Sequence, residues 1–219
     1  MPFFKDYTTT DSTILFWKYS NKDTFNSELL IEQENREKVE NFHPKKRIEY
    51  LMIRQMLKSV FPDHKILYKS IGQPYLFPKD AFISITHSYP FAALAISKKR
   101  VGIDIERIMP KIHRIKEKFV HPDEAIWVKG EHETELLTVI WVIKEALYKL
   151  HPSKYWSLKK HYKVEPFSLD DLSDVKCCVF DSKYEDRYSA KITKVEDLYF
   201  AIIEENHKLN FPIDFLSPF

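Results

Sequence analysis

Only 3 glycines occur in this chain of 219 residues, against 12 prolines. A backbone that cradles phosphate with its own N–H groups needs closely spaced glycines, and neither GxxxxGK[ST] nor GxGxxG can be written here. Nucleotide folds built around such loops are therefore excluded. Phosphate chemistry in this chain has to rest on metal ions and cationic side chains.

Periodicity and the prolines set the order of elements. Residues 13–19 read as a strand, and a charged stretch at 26–42 reads as a helix that ends at His43-Pro44. Residues 45–61 predict a second helix, with Ile48, Leu51, Met52, Met56 and Leu57 at helical spacing and Pro62 as its stop. Strands are expected at 66–69, 82–86, 91–97 and 101–108, with a turn at Gly72-Gln73-Pro74-Tyr75. Helices return after Pro110. Pro122 suits the first helical position, with Asp123 and Glu124 in the first turn where they complement the helix dipole. Residues 135–150 predict the longest helix, and strands follow at 162–165, 175–180, 188–194 and 198–204. The plan occurs twice, so the expected fold is α+β, in two similar halves at residues 1–108 and 109–219.

The chain is 44% hydrophobic and 15% aromatic, enough for a sizeable core and unlike a disordered composition. Lys and Arg total 34 and Asp and Glu total 32, a balance that argues against a dedicated nucleic-acid surface. Cys177 and Cys178 are adjacent and lack metal-ligand spacing, as expected of two reduced thiols in a cytosolic protein. No stretch reaches the roughly 18 apolar residues of a spanning helix, and the N-terminus lacks a basic segment followed by a long apolar run. The expectation is a cytoplasmic protein with no membrane or nucleic-acid partner.

Three segments carry chemistry. In Val101-Gly102-Ile103-Asp104-Ile105-Glu106, strand alternation puts Val101, Ile103 and Ile105 on one face and Gly102, Asp104 and Glu106 on the other. Two neighbouring carboxylates repel unless neutralised, which a hard divalent cation does well, and Gly102 leaves room beside them. The same alternation suits the exposed polar face of a half-buried strand. In the helix, Trp141, Glu145 and Lys149 recur at i, i+4 and i+8, with Lys144 in the neighbouring row. Glu145 can serve as a metal ligand or base and Lys149 as a phosphate contact, or the two can be an ordinary helix pair. Finally, Ile83, Ile85 and His87 share one side of a strand that ends at Thr86-His87, a position suited to binding or to a structural hydrogen bond.

Together these segments resemble the surfactin-synthetase-activating type of 4'-phosphopantetheinyl transferase. That family carries G-[IV]-D-[IV]-E, matched by residues 102–106, and W-x-x-K-E-[AS]-x-x-K, matched by Trp141, Lys144, Glu145, Ala146 and Lys149. Upstream, Ser84-Ile85-Thr86-His87-Ser88 resembles its [NS]-[IVL]-S-H-S strand end. Gly72-Gln73-Pro74-Tyr75 resembles its G-[KR]-P-[YF], and Arg47 and Arg54 fall where the family has a paired-arginine helix. These elements occur in family order across residues 47–149. Gln73 departs from the usual basic residue, Thr86 stands for Ser, and Leu150-His151-Pro152-Ser153-Lys154 replaces the common Gly-Lys-Gly.

The resemblance implies a pseudo-twofold α+β fold with coenzyme A (CoA) in the cleft between the halves. It implies a monomer that moves the phosphopantetheine arm of CoA to a serine of an acyl or peptidyl carrier protein, releasing adenosine 3',5'-bisphosphate. Asp104, Glu106 and Glu145 would hold Mg²⁺, or Mn²⁺, against the CoA pyrophosphate. Glu145 would act as base and Lys149 would stabilise the leaving group. Arg47 and His87 would meet the ribose 3'-phosphate, while Gln73, Thr86 and Lys144 would assist at the phosphates. A homologue that binds CoA or a carrier without transfer is the alternative.

Overall fold

The computed structural model describes residues 5–70 and 72–205. The chain divides into two compact units, Met1–Val101 and Gly102–Phe219.

In the first unit, strands β1 (Lys5–Asp6), β2 (Ser12–Lys18), β5 (Phe82–Ser88) and β6 (Phe91–Ser97) form an antiparallel sheet in the order β1-β2-β6-β5. Strands β3 (Lys65–Tyr68) and β4 (Pro74–Phe77) form a separate hairpin. The long helix α3 (Pro44–Val60) supplies Met52, Ile53, Met56 and Leu57 to a core shared with Leu15 and Trp17 of β2 and Ala92, Leu94 and Ile96 of β6. Its N1 proline and the His43 side chain, which accepts from the Lys45 amide, define its start.

The helix expected over 26–42 is not continuous. It breaks into α1 (Ser27–Leu30), a 3₁₀ turn (Gln33–Asn35) and α2 (Arg36–Glu40). Between Ile31 and Phe42 the only apolar side chain is Val39, so a continuous helix would have no stripe to bury. Short segments instead turn Leu30, Ile31 and Val39 inward against Leu51.

In the second unit, β7 (Val101–Arg107), β8 (Tyr162–Val164), β9 (Val175–Phe180), β10 (Glu185–Val195) and β11 (Leu198–Glu204) form one sheet in the order β7-β11-β10-β9-β8. The unit begins before residue 108 because β7 lies beside β11 in this sheet. Short helices α4 (Lys116–Phe119) and α5 (Pro122–Ala125) precede α6 (Glu133–Leu150), and α7 (Leu158–His161) follows it. One face of α6, including Val139, Ile143, Ala146, Leu147 and Leu150, packs into a core with Val175, Cys177 and Val179 of β9 and Tyr199, Ala201 and Ile203 of β11. Both cysteines are buried free thiols. Among the described residues no helix is long and apolar enough to cross a membrane.

Candidate active site

The site grows from one close approach. Gly102 on β7 lies directly under α6: a Cβ there would stand 2.0 Å from the Ala146 carbonyl oxygen and 2.9 Å from Leu150 Cβ. The space that glycine provides is filled by helix backbone, so its role is to let helix and strand meet. Strand alternation puts Asp104 and Glu106 on the Gly102 side of β7. On α6, Glu145 is half-buried and precedes Ala146.

The charges of these groups meet. Lys149 Nζ donates to Asp104 Oδ1 at 2.7 Å and to the Ile103 carbonyl at 3.0 Å. Burial, then the neighbouring charge of Asp104, pushes the Glu145 carboxyl up to about 7, with Lys149 opposing and Glu106 adding to the rise. Glu106 is raised by burial first and by Asp104 next, while Lys111, 3.8 Å away, opposes the shift.

An all-oxygen set of mutually repelling, partly buried carboxylates suits a hard divalent ion in kind. Among the described residues no three His, Cys, Asp or Glu side chains are grouped to hold a metal. Asp104 instead faces the Lys149 ammonium.

Lys144 requires a correction. Expected at the phosphates, it is fully buried, and its Nζ donates to Glu124 Oε2 and the Phe119 carbonyl, each at 2.7 Å. Glu124, also fully buried, accepts from the amides of His121 and Val164. Lys144 is thus an internal tie between α6, α5 and β8. Sequence reading missed Glu124, although His121-Pro122-Asp123-Glu124 has the spacing of a capping box, which the structure contains. Trp141 likewise packs inward, edge-on to Phe119 with ring centroids 5.0 Å apart.

The loop after α6 is held by bonds to the helix end and to β10. Lys154 Nζ donates to the Tyr148 carbonyl at 2.7 Å, capping the helix end in place of a glycine. The Ser153 amide donates to His151 Nδ1, and Nε2 of the same ring lies 2.9 Å from Asp186 Oδ2.

The first unit carries the other expected contacts. His87 Nδ1 lies 3.1 Å from Glu49 Oε2, and Glu49 also accepts from the Tyr89 amide at 3.1 Å. Glu49, unremarked in the sequence, fixes the imidazole beside α3. Arg47 is half-buried on the same helix. Gln73 accepts from Lys69 Nζ at 2.9 Å, so a cation stands beside the position where glutamine replaces the usual basic residue. Thr86 is only 4% exposed and offers a phosphate little surface. Arg54 is buried and stacks on Tyr50, with its guanidinium carbon 3.4 Å from the ring centre.

A profile of the 4'-phosphopantetheinyl transferase superfamily matches residues 100–208. Over these residues, just under half of its length, the chain is similar to this superfamily. The chain is 35% identical over 106 residues to 4'-phosphopantetheinyl transferase gsp from Aneurinibacillus migulanus, covering 45% of this chain and 44% of that protein. It is 31% identical over 83 residues to a 4'-phosphopantetheinyl transferase from Bacillus subtilis, covering 36% of this chain and 37% of that one. The chain thus spans less than half the length of these relatives. The superfamily match contains Asp104, Glu106, Glu145 and Lys149, whereas Arg47, Gln73, Thr86 and His87 precede it.

Proposed function

We propose that this chain transfers the 4'-phosphopantetheine arm of CoA to a serine of an apo acyl or peptidyl carrier protein. The observation that carries this reading is the coincidence of the superfamily match with one electrostatic cluster: Asp104, Glu106 and Glu145 around Lys149, with Glu145 raised to about 7.

Asp104, Glu106 and Glu145 are the residues that would hold Mg²⁺ or Mn²⁺. Such an ion, when bound, would neutralise charge on the CoA pyrophosphate. Glu145 takes the proton of the carrier serine as general base. The serine oxygen forms a bond to the β-phosphorus, and the bond to the leaving phosphate oxygen breaks. Lys149 stabilises the charge on the departing adenosine 3',5'-bisphosphate, because catalysis of this type is largely positioning and electrostatics. Arg47 and His87, with Gln73 and its partner Lys69, are proposed contacts for the phosphates of CoA. Lys144 has no part in this step.

The two units are further proposed to be versions of one plan, related by a pseudo-twofold, and the chain to act as a cytoplasmic monomer. Each unit pairs an antiparallel β-sheet arrangement with one long helix, α3 in the first and α6 in the second. The test is the intact mass of an apo carrier protein after incubation with this protein, CoA and Mg²⁺. A gain of one phosphopantetheine is expected. EDTA should abolish it, and Glu145→Gln should slow it about a hundredfold or more. CoA binding without any mass gain would leave a non-catalytic homologue.

A further inference from the structure

We propose that Lys149 is the resident counter-cation of the carboxylate cluster, so that a divalent ion binds at Asp104 in competition with the lysine. The inference rests on the reading of Asp104 as a metal contact and concerns how that contact is controlled.

Two anchors on β7 hold the Lys149 ammonium, the Ile103 carbonyl and Asp104 Oδ1. The Asp104 side chain is 10% exposed and that of Lys149 is 27% exposed, so water screens this pair less than a surface pair. The ammonium sits on one of the two Asp104 oxygens, Oδ1, and its positive charge repels an ion that approaches the other. Lys149 lies in the last turn of α6, where Lys154 bonds the Tyr148 and Lys149 carbonyls. With that backbone tied, the part of Lys149 free to leave Asp104 is its flexible four-carbon stem.

Linkage follows. An incoming cation must compete with a shielded ion pair, which lowers its affinity for the free protein. A phosphate-bearing substrate offers the ammonium a new partner, so the loss is recovered when both ligands are present. Cation and CoA therefore bind cooperatively, and by reciprocity each tightens the other by the same factor. Lys149 thus disfavours metal loading before the substrate arrives.

The experiment is a Mn²⁺ titration, read by the electron-spin resonance of free Mn²⁺, on carrier-free protein with and without CoA. Lys149→Met without CoA should bind Mn²⁺ about tenfold more tightly than wild type, within the usual range of coupling between sites. Lys149→Gln should do the same, and provides a second neutral variant should the first fold poorly. Lys149→Arg should stay close to wild type. Added CoA should tighten Mn²⁺ less in the neutral variants than in wild type. Melting temperatures give a readout independent of activity, because Mn²⁺ should raise that of Lys149→Met more than that of wild type. If the neutral variants bind Mn²⁺ equally or more weakly, while Asp104→Asn abolishes binding, Lys149 is no competitor and the metal reading stands alone. If wild type and neutral variants bind no Mn²⁺, with or without CoA, the metal reading falls and this inference falls with it.

Discussion

Gly102 shows how far a single residue can be read from sequence. Alternation correctly grouped it with Asp104 and Glu106, but the space it leaves is taken by α6, with the Ala146 carbonyl where a Cβ would be. A sequence pattern gives the face of a strand and not what covers that face. Lys144 teaches the same lesson from the helix. The family resemblance implied a phosphate contact, yet one step along a helix from Glu145 turns a side chain by about 100 degrees, here into the core. Gly102→Ala should therefore move α6 off β7. A stability loss of about 1–3 kcal/mol is expected, as for overpacked cores, measured by urea unfolding. Since Asp104 and Glu145 lie on the two separated elements, Mn²⁺ affinity should fall as well. Wild-type stability and Mn²⁺ affinity in this variant would mean that the close approach does not set the carboxylate spacing.

At the scale of elements, α6 was legible because its apolar residues form a stripe that packs into the core. The stretch before α3 was not, because its charges fit a helix locally while Val39 is too little to bury one side of it. The loop after α6 was legible only as a departure from Gly-Lys-Gly. Its conformation depends on Asp186, 35 residues away on β10, which no local pattern announces. The tie from Lys144 to Glu124 is likewise long-range, and it fastens α6 to α5 and, through the Val164 amide, to β8. Lys144→Met should cost about 3–5 kcal/mol, because it strands a buried carboxylate. Lys144→Met with Glu124→Gln should recover much of that loss, since the amide keeps hydrogen-bonding capacity without the charge. The check is chemical unfolding of both variants. A cost below about 1 kcal/mol for Lys144→Met would show that the pair does not hold these elements together.

For the whole molecule, the titrating groups act in two opposed sets. Asp6, Asp80, Asp171, Asp174, Asp181 and Glu135 are lowered, chiefly by side-chain hydrogen bonds that favour their charged forms. A lowered carboxyl contributes stability above its unfolded value and loses it as pH falls through the folded value. Glu145 and Glu106 are raised, so in metal-free protein their contribution is complete below about 4.5 and is lost as pH rises, for Glu145 through about 7. The two sets together place the stability maximum of EDTA-treated protein near pH 4.5, above the unfolded value of the lowered aspartates and at that of Glu145. Glu145 alone would account for a decline of up to about 3 kcal/mol between pH 5 and 8, since each pKa unit is worth about 1.4 kcal/mol. Glu145→Gln should flatten that decline, because the amide does not titrate. Saturating Mn²⁺ should oppose it, because an ion that binds the ionised carboxylates stabilises the folded state increasingly as they lose protons. Unfolding free energies at pH 5, 6, 7 and 8, with EDTA or Mn²⁺, measure both effects. A wild-type decline that survives Glu145→Gln unchanged would move its origin away from Glu145.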